Sequence, residues 1–192
     1  MTSRIVDIPK IFRCDFTGAY FDKCIKCESD LMRGDRPYII EKALKPYGSY
    51  DSYSTLFEYA MCMNCAESMK TMMSKDSMAK LMEFFAQNMD LNKHRHQMNE
   101  AYPLQAYKWI ENCIVSGKAV SEVSECQIYA ACVGDQLVFS EFPYMVAGSV
   151  LDQMVELLSA ETKDELDGFK DEYVDGPSEF QDLLQSGPKV FI

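Results

Sequence analysis

Two pairs of cysteines have the residue type and the spacing of metal ligands. They are Cys24-Ile-Lys-Cys27 and Cys62-Met-Asn-Cys65, and 34 residues separate Cys27 from Cys62. Two residues between the sulfurs allow a tight turn to place both thiolates on one side of a metal ion, with backbone N–H groups directed at their charge. Four thiolates complete the tetrahedral shell of a structural zinc site. The sequence therefore predicts one structural Zn²⁺ per chain, bound by Cys24, Cys27, Cys62 and Cys65.

The other four cysteines are weaker candidates. Cys14 lies ten residues before the first pair and is a candidate fifth ligand, although lone cysteines more often pack in cores. The same packing role is expected for Cys113, Cys126 and Cys132, and Cys126 and Cys132 should share one face of a strand. A second metal ion at these cysteines is the alternative. The stretches that begin at Cys14 and Cys113 share a Cys-x-x-[Ser/Thr]-Gly pattern, which is too short to indicate a duplication.

Both histidines, His94 and His96, fall in the basic segment 92–97. Residues two apart do not share a helix face, so joint ligation of a metal ion would need an extended backbone. We expect an exposed loop here, with a second metal site or an anion contact as alternatives.

The residues between and after the cysteine pairs indicate how they are positioned. Residues 37–44 are rich in strand formers, 46–52 have turn chemistry, and 56–61 form a return strand that leads into Cys62. After Cys65, apolar residues recur at helical spacing, with an interruption at 74–77 that favours two helices.

A cysteine knuckle, a hairpin and a second Cys-x-x-Cys at the start of a helix resemble the treble-clef group of zinc fingers. The matching residues are Cys24, Cys27, Cys62 and Cys65, with the helix beginning near Ala66. The resemblance covers about residues 14–90. Because this group is a structural class with many functions, the resemblance implies a structural zinc ion and a scaffold, and no particular activity.

The rest of the chain predicts further helices around a second hairpin. A helix is expected from Pro103 to Gly117, and alternation from Cys126 predicts a hairpin that turns at 133–136. Three helices follow. The first covers 150–158, the second begins with a capping box at 162–165, and the third covers 177–187.

The predicted fold class is α+β: a treble-clef-like zinc module of knuckle, hairpin and helix, then a helix, a hairpin and C-terminal helices. We expect a zinc-binding half at 1–98 and an α+β half at 99–192. No linker rich in Pro, Gly or Ser separates the halves, so they can share one core.

Composition narrows the function classes. The chain has 192 residues, 47% of them hydrophobic, and a net charge of −11 that repels phosphate backbones. This charge argues against nucleic-acid binding, although a local basic patch is conceivable at Lys42, Lys45, Lys93 and Arg95. No stretch approaches the roughly 20 apolar residues of a membrane span, and the N-terminus lacks a signal-peptide core. We expect a cytoplasmic protein with metal-bound or reduced thiols.

A zinc ion with four thiolates has no open position for water, so it cannot act as a Lewis acid. The leading hypothesis is therefore a non-catalytic protein-interaction module that binds a protein partner. The contact surface is expected at Tyr47, Tyr50 and Tyr53, since tyrosine is enriched at interfaces.

Two alternatives remain open at this stage. The paired cysteines could form a redox switch that releases zinc on oxidation. An enzyme could use Cys113 or the histidines His94 and His96, although the sequence has no nucleophile elbow, no glycine-rich phosphate loop and no His-Glu-x-x-His motif.

Overall fold

The computed structural model describes residues 4–174 as strands, helices and connecting turns. The helix expected at 177–187 lies outside these residues. The strands are β1 (Arg4–Asp7), β2 (Pro37–Ser49), β3 (Ser52–Cys62), β4 (Cys126–Val133), β5 (Gln136–Phe139) and β6 (Tyr144–Ala147). The helices are α1 (Met63–Met72), α2 (Lys75–Asn88), α3 (Leu91–Ala101), α4 (Ala106–Trp109), α5 (Gly148–Glu156) and α6 (Ala160–Tyr173). The described chain is therefore a mixed α+β fold.

All six strands belong to one antiparallel sheet. Its order is β1-β5-β4-β2-β3, and β6 pairs with the part of β4 that β5 leaves free. At its centre β2 pairs with β4, from Pro37 opposite Val133 to Leu44 opposite Cys126. The sheet thus takes strands from both sides of residue 98, and the division of the chain into two domains at that point stays a prediction.

The central strands are buried on both faces. On one face Tyr59 of β3 contacts Phe169 of α6, so this face lies under the helices. On the other face Lys42 of β2 contacts Asp15 in the segment before β2. Coverage on both sides explains why β2 is almost continuously buried and why its sequence is apolar without strict alternation. Among residues 4–174, no helix is long and apolar enough to cross a membrane.

Several elements agree with the sequence-based expectations. The strand at 37–44 is confirmed but continues to Ser49, so the hairpin is longer and turns at Tyr50 and Asp51. The break between two helices is confirmed, because Ser74 caps α2 by accepting a hydrogen bond from the N–H of Ser77. Cys126 and Cys132 are both buried, as expected of core thiols.

Other expectations are wrong. Residues 92–97 lie inside helix α3, which Asp90 caps by accepting from the N–H of Lys93, and they are not a loop. The helix expected from Pro103 is reduced to the single turn α4, because a tight turn at Cys113 takes up the chain that would have continued it. Helix α6 begins at Ala160, and its N-cap is Ser159. The cap therefore lies three residues before Thr162, where the capping box was expected to begin.

The hydrogen bonds reveal an internal repeat that spans residues 22–88 (the first repeat) and 111–173 (the second repeat). Each begins with a turn that we call the knuckle turn. In the first, Cys24 N–H donates to the carbonyl of Ser29 at 2.9 Å, and in the second Cys113 N–H donates to that of Lys118 at 2.8 Å. The fifth residue of each turn has a positive φ, 57° at Glu28 and 71° at Gly117.

The repeats continue with a hairpin and two helices in the same order. The first repeat has β2, β3, α1 and α2, and the second has β4, a return strand broken into β5 and β6, then α5 and α6. The return strands carry the stacked ring pairs Phe57–Tyr59 and Phe142–Tyr144. Serines cap the second helix of each repeat, at Ser74 and Ser159.

The repeats contact each other reciprocally, as the halves of a twofold-symmetric dimer do. Their first strands pair antiparallel, with Glu41 opposite Tyr129. Ser74 N–H donates to the hydroxyl of Thr162 at 2.9 Å, while Ser159 N–H donates to that of Ser77 at 2.8 Å. The two cap hydroxyls lie 3.0 Å apart. A local pseudo-twofold axis therefore passes between the repeats.

Candidate metal centre

The knuckle turn positions the first cysteine pair. Besides the bond to Ser29, the carbonyl of Cys24 accepts from Glu28 N–H at 2.8 Å, which curls the chain so that both sulfurs point the same way. The turn is held against the hairpin because Ile25 N–H donates to the carbonyl of Ala60 at 2.9 Å.

The second pair lies where β3 passes into α1. Cys62 is the last residue of β3 and the N-cap of α1, and Cys65 stands in the first turn of that helix. Cys62 N–H donates to Sγ of Cys24 at 3.4 Å, so a backbone group of one pair contacts a sulfur of the other. The positive end of the α1 dipole is thus directed toward the sulfurs, which favours thiolates.

The four sulfurs have the geometry that a tetrahedral metal site requires. All four lie within 4.8 Å of one another, and those of Cys27 and Cys62 are 3.8 Å apart. A tetrahedron with metal–sulfur bonds of about 2.3 Å has sulfurs about 3.8 Å apart. Among residues 4–174 no other cluster of three or more His, Cys, Asp or Glu side chains could hold a metal ion. The cluster is therefore compatible with a structural metal site.

The pKa values of three cysteines in the cluster are shifted in different directions. Ser29 lowers the pKa of Cys27 to about 6, because its hydroxyl, 3.1 Å from Sγ, and its backbone N–H can both donate to the thiolate. Burial instead raises the pKa of Cys24 and of Cys65. Four clustered sulfurs, two of them on buried cysteines, carry their full negative charge only when a cation compensates it.

Comparison with family models, with curated proteins and with solved structures returns no match. The chemistry assigned to the site therefore rests on the residues of this chain alone.

The remaining cysteines lie apart from the cluster. Cys14 forms a similar tight turn, in which its N–H donates to the carbonyl of Ala19 at 2.9 Å, but its sulfur is not in the group of four. Burial raises the pKa of Cys126 and of Cys132 to about 12, so both remain neutral thiols. Cys113 is 2% exposed, and its sulfur accepts from the N–H groups of Ser116 and Ala147.

The two histidines have different surroundings. The ring of His94 packs edge-on against Trp109 at 5.8 Å, and burial lowers its pKa, so it is neutral at pH 7. His96 is exposed on the same helix, with its Nε2 3.9 Å from a carboxylate oxygen of Glu100. Neither histidine belongs to a metal-binding cluster in the described part of the chain.

The second repeat contains the counterpart of the cluster with three of its four cysteines replaced. Cys113 corresponds to Cys24, and Ile114 N–H donates to the carbonyl of Met145 at 2.9 Å, as Ile25 does to Ala60. The counterparts of Cys27, Cys62 and Cys65 are Ser116, Ala147 and Val150. Ala147 and Val150 are buried, so apolar packing occupies this position in the second repeat.

A buried ion cluster beside the hairpin was missed by the sequence analysis. The ammonium of Lys42 is fully buried, 2.7 Å from a carboxylate oxygen of Asp15, 2.9 Å from one of Glu58 and 2.7 Å from the carbonyl of Arg13. Burial acts to raise the pKa of Asp15, but hydrogen bonds from Lys42 and Thr55 outweigh it and hold that pKa below its ordinary value. The available signal was a charged pair, Glu41-Lys42, inside an otherwise apolar strand.

Two of the tyrosines expected at a contact surface bond within the fold, and one of them, Tyr53, joins this cluster. The hydroxyl of Tyr53 donates to Asp15 at 2.9 Å, and that of Tyr50 donates to the carbonyl of Ile110 at 2.8 Å. Both hydroxyls hold the fold together. Of the three tyrosines expected at a contact surface, Tyr47 alone has most of its side chain exposed, at 57%.

Proposed function

We propose that this chain is a non-catalytic protein whose first repeat binds one structural Zn²⁺ in a treble-clef-like module. The ligands are Cys24, Cys27, Cys62 and Cys65. The observation that carries the proposal is the four-sulfur cluster, with every sulfur within 4.8 Å of the others. Thiolate sulfur favours zinc over hard cations such as Mg²⁺ and Ca²⁺, and four sulfurs leave no position for a reacting water.

Metal content and thiol accessibility test this proposal. Protein purified without chelator is expected to hold about one zinc ion per chain, since the cluster provides one tetrahedral shell. Of the eight cysteines, the four ligands should stay protected from a thiol reagent under native conditions and react when a chelator removes the metal. Mass spectrometry of the modified peptides would identify them.

Absence of metal in freshly purified protein, with the same four cysteines reactive from the start, would contradict zinc binding. A second candidate function, a redox switch, is favoured by one observation: Cys27 is exposed, so its sulfur is accessible to oxidants, and it lies 3.8 Å from the sulfur of Cys62. In that case mild oxidation should release zinc and form disulfides within the cluster, and reduction should restore metal binding.

We further propose that the module binds a protein partner at the edge of the sheet beside β3. This strand ends the sheet, and edge strands offer backbone groups for pairing with another chain. Next to it, Phe16 is 95% exposed, while its backbone N–H lies 3.4 Å from a carboxylate oxygen of Glu58 on β3. An exposed aromatic ring beside the end strand of the sheet is a suitable anchor for a partner.

Substitution Phe16→Asp is expected to abolish recovery of the partner in affinity purification from cells, without loss of zinc. Met82→Asp is the matched control, because Met82 is also an exposed apolar residue, at 64%, and lies on helix α2. Partners lost equally in both variants, or in neither, would exclude the β3 edge as the contact surface.

A further inference from the structure

An apolar cavity of about 340 Å³ lies between the helices and the sheet. Small-molecule sites occupy roughly 300–1,000 Å³ and are lined mainly by apolar and aromatic groups. The strand side of the cavity includes Phe142 and Tyr144, and the helix side includes Ala66, Leu81 and Phe85. The cavity is thus large enough for a small ligand and is distinct from the cysteine cluster.

The pseudo-twofold axis shows what occupies the corresponding space in the other repeat. Phe57 and Tyr59 are the counterparts of Phe142 and Tyr144. There the ring of Phe169, from helix α6, packs edge-on against Tyr59 with the ring centres 5.9 Å apart. Phe169 is 4% exposed and fills the space beside the ring of Tyr59.

The counterpart of Phe169 in the first repeat does not fill the corresponding space. This residue is Phe84, since both phenylalanines lie ten residues after the serine that caps their helix. The ring of Phe84 packs edge-on against its neighbour Phe85, with centres 6.0 Å apart. It is not among the residues that line the cavity. The cavity therefore corresponds to a space that an aromatic ring fills on the other side of the axis.

One side chain adds a charge to this apolar lining. Lys70, on the last turn of α1, lines the cavity while its side chain is largely exposed. Its ammonium group forms no ion pair with a side chain of residues 4–174, so within this part of the chain it adds an uncompensated positive charge at the mouth of the cavity.

We propose that this cavity binds a small molecule that combines an aromatic ring with an anionic group. The ligand ring packs against Phe142 and Tyr144, as the ring of Phe169 packs against Tyr59 on the other side of the axis. The anion contacts Lys70 at the mouth.

The methionine methyl groups provide a local readout in the full-length, zinc-loaded protein. Four methionines line the cavity: Met63, Met73, Met89 and Met154. Their ¹³C-labelled methyl signals are expected to shift saturably with 1-naphthoate, while those of the exposed Met72 and Met82 do not. The neutral analogue 1-naphthalenemethanol should bind about two- to fivefold more weakly, because an exposed ion pair contributes little. Lys70→Gln should remove this difference.

Two cavity-filling variants test the location. Ala66→Leu introduces leucine, the residue found at the corresponding position 151 of the second repeat. The larger side chain occupies part of the cavity, so the affinity for 1-naphthoate should fall at least about tenfold. Leu151→Phe fills the cavity from helix α5 and provides the same test if the first variant does not fold. In contrast, Phe169→Ala opens the corresponding space and should create a second site, detected at the methyl of Met69, the counterpart of Met154.

Three outcomes would overturn the proposal. The first is no saturable shift of the cavity methyl groups. The second is undiminished binding in folded Ala66→Leu or Leu151→Phe protein. The third is binding that occurs only after residues 175–192 are removed, which would assign the cavity to the chain's own C-terminal residues. Zinc content is measured in every sample, so failure of ligand binding is distinguishable from failure of the metal site.

Discussion

Replacement of Cys24 by serine is expected to abolish zinc binding and to unfold most of the first repeat. Zinc contributes on the order of 10 kcal/mol of folding free energy in zinc-finger peptides, whereas a whole domain is stable by only about 5–15 kcal/mol. The knuckle turn and α1 meet through the sulfurs, through the bond from Cys62 N–H to Sγ of Cys24, and through an exposed bond from Nζ of Lys26 to the hydroxyl of Ser68. Loss of the metal should therefore remove most of the stability, measured by metal analysis and urea unfolding.

The internal repeat provides a matched control for this variant. Cys113 occupies the same position in its knuckle turn, is similarly buried, and accepts from Ala147 N–H at 3.3 Å, but it lies outside the four-sulfur cluster. We expect Cys113→Ser to retain full zinc content and to cost only about 1–2 kcal/mol, as for an altered buried hydrogen bond. Equal losses of stability in the two variants would show that Cys24 acts through packing and not through a metal.

Replacement of Lys42 by methionine is expected to lower the free energy of unfolding by about 3–5 kcal/mol at pH 7, because it leaves two partly buried carboxylates without a counter-charge. Methionine is also unbranched and only one heavy atom shorter than lysine, so packing is largely preserved. The carboxylates are those of Asp15, 27% exposed, and Glu58, 13% exposed. The control is Lys45→Met, at an exposed position of the same strand, where a change within about 0.5 kcal/mol is expected.

The pH dependence distinguishes charge from packing. In the unchanged protein the pKa of Asp15 lies below its ordinary 3.8, so this carboxylate contributes stability above about pH 4, which is lost as the pH falls through the lowered pKa. In Lys42→Met the hydrogen bond and the charge of Lys42, which both lower the pKa of Asp15, are lost. This pKa should therefore rise, and protonation of Asp15 should reduce the destabilisation of the variant. The difference in stability should therefore shrink between pH 7 and pH 4. A difference that does not change with pH would assign the effect of Lys42 to packing.

The cysteine cluster and the elements around it could be predicted because their signals are local. Two residues between cysteines define a turn, and the strand formers between the pairs define a hairpin. Helix α3 was missed because its sequence, which includes His94 and His96, resembles an exposed loop, and no residue of the helix is fully buried. The cap at Asp90 was the signal that favoured a helix.

The internal repeat could not be found from sequence because few positions are the same in both copies. What the repeats share is backbone hydrogen bonding, such as the turns at Cys24 and Cys113, and backbone bonds impose little on side chains. The buried Lys42 was likewise hidden, because its partners Asp15 and Glu58 lie far from it in sequence or on a neighbouring strand. Such partners follow from the sheet register.

The reciprocal contacts at the pseudo-twofold axis bear on the evolutionary origin of the chain. A single repeat would expose the whole edge of β2 and leave the cap at Ser74 without its partner Thr162, and a second copy of the same repeat would satisfy both. The arrangement is the one that duplication and fusion of the gene for a homodimeric repeat would produce. In such a fused chain the two halves mutate separately, which accounts for a cysteine cluster that is complete in the first repeat and reduced to Cys113 in the second.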